Sequence, residues 1–116
     1  MRLACLGEPT YFILASLIGE PRHGWGIVQE VRELSQGRVR LTAGTLYGAL
    51  DRLRAEGLVE ADHEEIVSGR CRRYYRLSSP GLRRLQEEAE RLAASAQVVR
   101  KRLSSVPPSK IQGALS

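Results

Sequence analysis

The stretch Thr42-Ala-Gly-Thr-Leu-Tyr-Gly-Ala-Leu-Asp-Arg-Leu-Arg-Ala-Glu-Gly57 reads as one short helix with a start, a single apolar stripe and a stop. Thr42 carries the hydroxyl that caps the first free N–H groups. Leu46, Leu50 and Leu53 recur at i, i+4 and i+7 and so share a face. Gly57 falls where a left-handed residue closes a helix. The opposite face holds Gly44 and Gly48, one turn apart, beside Thr45, Tyr47 and Arg52. A glycine inside a helix costs roughly 1 kcal/mol relative to alanine. Two on an exposed face point to a large partner that must approach the helix backbone closely. Duplex DNA is such a partner, since its major groove admits a helix.

Downstream, Leu58-Val-Glu-Ala-Asp-His-Glu-Glu-Ile66 is an extended run, Val67-Ser-Gly-Arg70 supplies a turn, and Cys71-Arg-Arg-Tyr-Tyr-Arg-Leu77 returns as a second strand. A helix followed by a hairpin with an arginine-rich tip is the layout of a winged helix. Arg70, Arg72, Arg73 and Arg76 have no acid among them, which makes the tip and return strand locally basic. Tyr74 and Tyr75 alternate, so one is expected in the core and the other half exposed.

Several segments together resemble the PadR-like transcriptional regulators. They are His23-Gly24-Trp25-Gly26-Ile27, Gly44-Thr45-Leu46-Tyr47, Leu50-x-Arg52-Leu53, Gly57-Leu58-Val59-Glu60, Gly69-Arg70, Arg73-Tyr74-Tyr75-Arg76-Leu77 and Gly81. The resemblance runs from about Thr10 to the end of the last helix, in order and with the family's spacing. It departs at two positions: the family often has Tyr where Trp25 stands and Pro where Gly48 stands. The resemblance implies a DNA-binding regulator, more often a repressor than an activator, released by a small aromatic or drug-like effector bound near a dimer core. Trp25 is the candidate residue to stack on such an effector.

The remaining chain fits this layout. Residues 9–19 read as a buried helix built on Tyr11-Phe-Ile-Leu-Ala-Ser-Leu-Ile18, with Pro9 in its first turn. Residues 24–35 read as a second helix, with Ile27, Val31 and Leu34 on one face and Gln36-Gly37 ending it. Arg38-Val-Arg-Leu41 is short and extended and leads into the third helix. Helices two and three make the helix-turn-helix and the hairpin makes the wing. Ser79 is read as the cap of the last helix and Pro80 as its first helical residue. Along that helix Leu82, Leu85, Ala89, Leu92, Ala96, Val99 and Leu103 follow at alternating spacings of three and four, a heptad stripe. So narrow a stripe on a terminal helix needs a partner, the simplest being the same helix of a second subunit. Val106-Pro-Pro108 stops it. The expected fold is mainly α with a small β-hairpin: a winged helix-turn-helix domain over residues 1–78, a dimerisation helix over 79–105 and a flexible tail over 106–116.

Composition narrows the function classes. The chain has 116 residues, one domain's worth, and a net charge of +5. That excess is spread unevenly: residues 1–37 hold three basic and four acidic groups, 38–76 eight and six, and 77–116 seven and three. Clustered wing arginines therefore argue for nucleic acid better than global charge does. An aromatic content of 5% disfavours a base-stacking single-strand binder. Cys5 and Cys71 form no disulfide framework and suit a reducing cytoplasm, and their spacing to His23 and His63 makes no metal pattern. The apolar run at 11–18 is too short to span a membrane. No nucleophile–base pair, metal cluster or phosphate-binding glycine loop appears, so neither an enzyme nor a cofactor is implied. A winged-helix protein–protein module is the alternative to a DNA-binding regulator, and the wing arginines favour DNA. The candidate DNA contacts are Arg38, Arg40, Thr42, Thr45, Tyr47, Gly48, Arg52, Arg70, Arg72 and Arg73. A symmetric homodimer on double-stranded DNA implies an inverted-repeat operator.

Overall fold

In the computed structural model, which describes residues 5–110, the elements follow in the order α1 (Glu8–Ser16), β1 (Arg22–His23), α2 (Gly24–Leu34), α3 (Ala43–Ala55), β2 (Val59–Val67), β3 (Arg70–Leu77) and α4 (Ser79–Ser104). The chain divides into two compact units, one running through Gln86 and one from Glu87 onward. The core of the first unit is built from one face of each helix. It holds Ile13, Leu14 and Leu17, then Ile27 and Val31, then Leu46, Leu50 and Leu53, closed by Val59, Tyr75 and Leu85.

Local chemistry sets the helix ends. The N–H of Thr45 donates to the Thr42 hydroxyl at 3.2 Å, so Thr42 caps α3 as its sequence predicts. At the other end Gly57 adopts φ +77°, and Leu58 N–H reaches back to the Leu53 carbonyl at 2.9 Å while Gly57 N–H takes Arg54. That pair of bonds is a Schellman closure. Helix α2 closes in the same way with Gln36, at φ 55°, in the left-handed position: its N–H takes the Glu33 carbonyl at 3.1 Å and Gly37 N–H takes Arg32 at 2.8 Å. Helix α1 is shorter than the expected 9–19. The Ser16 hydroxyl turns back onto Ile13, and the guanidinium of Arg22 takes the Ser16 carbonyl at 2.7 Å, which satisfies the helix end early. The segment before α3 is irregular: Val39 is buried in the core while Arg38 and Arg40 stay exposed on either side of it.

The sheet is antiparallel, in the order β1-β3-β2. The hairpin β2–β3 turns through Ser68 at φ 51° and Gly69 at φ 76°. Two consecutive left-handed residues match the twist of a hairpin, and Gly69 meets that demand without a Cβ penalty. Strand β1 was not expected from sequence. It pairs Arg22 with Tyr75 and His23 with Tyr74. A shift in register at Asp62 lets Ala61 face Tyr75 and His63 face Tyr74. Tyr75 is buried, whereas Tyr74 is half-buried and stacks on the His63 ring at 4.3 Å between centroids. His63 hydrogen-bonds Asp62, which is also held by Arg76 at 3.2 Å.

The start of α4 corrects the expected cap. Ser78, not Ser79, is the capping residue: its hydroxyl accepts from Gly81 N–H at 3.0 Å and donates to the Gly57 carbonyl at 2.6 Å. Ser78 N–H also holds the Leu58 carbonyl at 3.1 Å. This one residue joins the end of α3, the end of β3 and the start of α4, a position that local sequence does not reveal. Leu85 is also reassigned: it is 5% exposed and belongs to the core of its own unit. In the second unit every residue from Ala89 to Ser105 is exposed, and Arg91 grips the buried Glu88 carboxylate at 2.6 Å. The backbone turns helical again at Pro108–Lys110. The rest of the expected tail lies outside the described residues.

Two outcomes follow from this packing. A Cβ at Gly81 would collide with the Leu58 carbonyl oxygen and with Leu77. Gly81→Ala should therefore cost about 2–3 kcal/mol, the scale of overpacking against backbone, read as a lowered midpoint in urea unfolding. The second outcome concerns the sheet. The hydrogen bond to Asp62 holds the His63 imidazole above its ordinary value of 6.5. The same bond, with Arg76, holds Asp62 below the usual carboxylate range. Raised in the folded state, His63 contributes stability at low pH that fades as pH climbs through its folded pKa. Asp62, being lowered, contributes above its unfolded pKa and loses that contribution as pH falls through the folded one. The pair is strongest between the two. NMR titration should place His63 above 6.5, and Asp62→Asn should bring it down.

Candidate nucleic-acid interface

Helix α3 buries Leu46, Ala49, Leu50 and Leu53, which turns Gly44, Thr45, Tyr47 and Gly48 to the outside. A Cβ placed on Gly44 or on Gly48 would meet nothing within 4 Å. Nothing inside the described part of the molecule requires glycine at either position, although glycine costs roughly 1 kcal/mol there relative to alanine. Thr45 shares its hydroxyl with Thr42 at 3.0 Å, which fixes both side chains at the helix start.

Tyr47 is held by a different device. A Cβ on Gly24 would collide with the Tyr47 hydroxyl. The glycine that opens α2 therefore makes room for a phenol from α3, and the tyrosine lies against α2 while remaining 47% exposed. The sequence puts Tyr47 on the outer face of α3 but does not reveal Gly24 as the position it lies against. The signal was present as a glycine in the first turn of a helix, but its partner lies 23 positions away.

The basic candidates do not form one uniform surface. Arg38 is paired with Glu8 at 2.6 Å, an acid at the start of α1. Arg52 donates to the Thr10 hydroxyl at 3.1 Å. Arg73 lies 3.4 Å from Glu64, and Arg76 is held by Glu60 and Asp62. Among the described residues, Arg40, Arg70 and Arg72 have no carboxylate within ion-pair reach, and Arg40 bonds the Gly37 carbonyl. The register sets the acids of β2 against the arginines of β3, Glu60 opposite Arg76, Glu64 opposite Arg73 and Glu65 opposite Arg72, but the Glu65 carboxylate lies 3.4 Å from His63 and makes no ion pair with Arg72.

Arg70 and Arg72 line a cleft between the hairpin and the start of α2, together with His23, Trp25 and Tyr47, and no acid is among its lining residues. Burial and the nearby charge of Arg72 hold the His23 imidazole below its ordinary value. Ile66, near the tip of the wing, is 74% exposed and was not singled out in the sequence. Trp25 is 64% exposed and lies in this cleft. Of the heptad positions, Leu82, Ala89, Leu92, Ala96, Val99 and Leu103 are exposed and Leu85 is not. The described residues contain no cluster of metal-ligating side chains and no helix long and apolar enough to cross a membrane.

The chain matches the Transcriptional regulator PadR-like family over residues 13–87. It is 39% identical over 77 residues to the transcriptional regulator Rv3488 of Mycobacterium tuberculosis, covering 66% of this chain and 68% of that protein. Among solved structures it is similar to a PadR family transcription regulator from Clostridium difficile R20291, with a TM-score of 0.71 and 26% identity over 84% of this chain and 99% of that one. It is also similar to a transcriptional regulator from Clostridium thermocellum, with a TM-score of 0.69 and 25% identity over 82% and 89% of the two chains. A helix-turn-helix with an exposed third helix and a β-hairpin wing, and a family match across the whole of them, lead to one conclusion: the chain belongs to the PadR-like family of transcriptional regulators and is a DNA-binding winged-helix protein.

Proposed function

We propose that this regulator is a homodimeric repressor that binds an inverted-repeat operator and leaves it when a small aromatic or drug-like effector binds. The observation that carries the DNA reading is the pairing of two features. One is the outward face of α3, with glycines at 44 and 48 and open space above both. The other is the wing, where Arg70 and Arg72 hold no carboxylate partner among the described residues. In this reading the N-terminal half of α3 enters a major groove and Gly44 and Gly48 let its backbone come near. Thr45 and Tyr47 meet phosphate or base edges, and Arg70 and Arg72 reach flanking phosphates. Arg38, Arg52 and Arg73, each already engaged within the protein, contribute less.

The dimer reading rests on α4. Its exposed stripe of Leu82, Ala89, Leu92, Ala96, Val99 and Leu103 leaves apolar area in water that a second copy of the helix would remove. Two-fold symmetry then places two recognition helices about 34 Å apart on one face of the duplex, with half-sites about 10 base pairs apart or a multiple of that. Repression and effector release are carried by the family resemblance alone, and a place in the cytoplasm is supported by the free Cys5 and Cys71.

Affinity across a salt series tests the wing. Replacing Arg70 and Arg72 with Ala should weaken binding to operator and to random duplex alike and flatten the salt dependence by about one unit per lost contact. An unchanged slope would mean that the two arginines only solvate the hairpin. Gly48→Leu, measured on the same duplexes, should weaken binding while the unfolding midpoint holds or rises, because an added Cβ meets nothing within 4 Å and leucine is the better helix former.

Sedimentation tests the dimer. The wild-type chain should sediment as a dimer at micromolar concentration, and Leu92→Glu should yield a folded monomer. Leu85→Glu is unsuitable for this purpose, since it would bury a charge in the core of the first unit. A monomeric wild type would refute the dimer.

A further inference from the structure

Trp25 is the single tryptophan of the chain, and it stands 64% exposed on the first turn of α2. It is not part of that helix's packing face, which buries Ile27 and Val31. A large aromatic surface left in water on a small domain calls for an external partner. Its surroundings identify the kind. The cleft it lines also holds His23, Tyr47, Arg70 and Arg72 and no carboxylate. Arg70 and Arg72 have no ion-pair partner among the described residues, and the Tyr47 hydroxyl lies close against Gly24 at the same place. An occupant must therefore offer negative charge to the arginines and an apolar surface to the indole, side by side. The deoxyribose–phosphate chain alternates those two chemistries along its length. A small aromatic effector would instead want an enclosed, mostly apolar pocket.

We propose that Trp25 is a DNA-contact residue that packs its indole on the sugar–phosphate backbone bordering the groove occupied by α3, between Tyr47 and the wing arginines. This rests on the DNA reading given above. The contact is to backbone, so it adds affinity on any duplex and positions α3 without reading bases.

The sole tryptophan makes the test direct. Full-length protein is titrated with a fluorescein-labelled duplex from upstream of its own reading frame, and with a random duplex of equal length. Anisotropy of the label reports binding independently of Trp25. Acrylamide quenching of Trp25 should fall several-fold when either duplex saturates the protein. Trp25→Ala should bind both duplexes roughly tenfold more weakly, the scale of one well-packed aromatic contact, with an unchanged melting midpoint, and Trp25→Phe should recover most of the loss. Binding seen by anisotropy with unaltered quenching, or wild-type affinity in Trp25→Ala, would overturn the assignment while leaving the DNA reading intact. No anisotropy change on either duplex at low salt would remove both.

Discussion

The burial of one stripe of α3 is the constraint on which the rest of this structure depends. Leu46, Leu50 and Leu53 are each at most 1% exposed, set against Ile13, Leu14, Ile27 and Val31. A helix turns about 100° per residue, so fixing these three leucines in the core fixes the direction of every other side chain on α3. Gly44, Thr45 and Gly48 must then face outward, and Tyr47 must lie toward the start of α2. The caps make the arrangement exact at both ends: Thr42 sets where the helix begins, and Gly57 sets where the chain turns away into β2. Through Ser78, the same C-terminal turn also anchors the start of α4. Core packing and the presentation of the outer face are one event.

Electrostatics refine this picture by subtraction. The wing is rich in arginine, yet much of its charge is spent inside the hairpin, because antiparallel register sets the acids of β2 against the arginines of β3. Exposed pairs of this kind contribute little to stability. Their larger effect is to decide which cations remain for an anion. Arg70, opposite Val67, and Arg72, whose opposite acid Glu65 pairs with His63 instead, remain, and they line the cleft with Trp25 and Tyr47. A net charge of +5 is therefore a poor guide to this protein, and the location of a few unpaired guanidinium groups is a better one.

Much of the fold was legible in the sequence because its signals are local. The third helix, its cap and its closing glycine lie within sixteen consecutive residues, and the hairpin announces itself by Ser68-Gly69 between two extended runs. What escaped reading depends on contacts distant in the chain. Strand β1 has two residues, too few for any periodicity, and exists because Tyr74 and Tyr75 offer it an edge. The choice of Ser78 over Ser79 as cap follows from the Gly57 carbonyl lying within reach of one hydroxyl only. Leu85 obeys the heptad spacing as well as its neighbours do, and spacing alone could not tell a core residue from a seam residue. The candidate site divides the same way. The reading picked out α3 and the wing, but the sequestering of Arg38 by Glu8 and of Arg52 by Thr10 joins residues 30 and 42 positions apart.

The makeup of the outer face of α3 constrains how such a protein discriminates among DNA sequences. The most specific base contacts come from bidentate side chains, Arg on guanine and Asn or Gln on adenine. The outer face of the first half of α3 offers none of these: it presents Gly44, Thr45, Tyr47 and Gly48, and Arg52 is turned to Thr10. A helix with so few long donors gains specificity by fit. On the proposed reading it would sit deep, and two glycines one turn apart, with open space above both, would permit that depth. Depth makes the contact sensitive to groove width and to the bulk of thymine methyl groups, properties set by sequence but read as shape. On the same reading, the wing and the residues at the start of α2 would hold the backbone so that a small error of fit under α3 is not relieved by tilting. On the proposed DNA reading, affinity would fall to the arginines and the aromatic residues around the cleft, and selectivity to residues whose side chains are nearly absent.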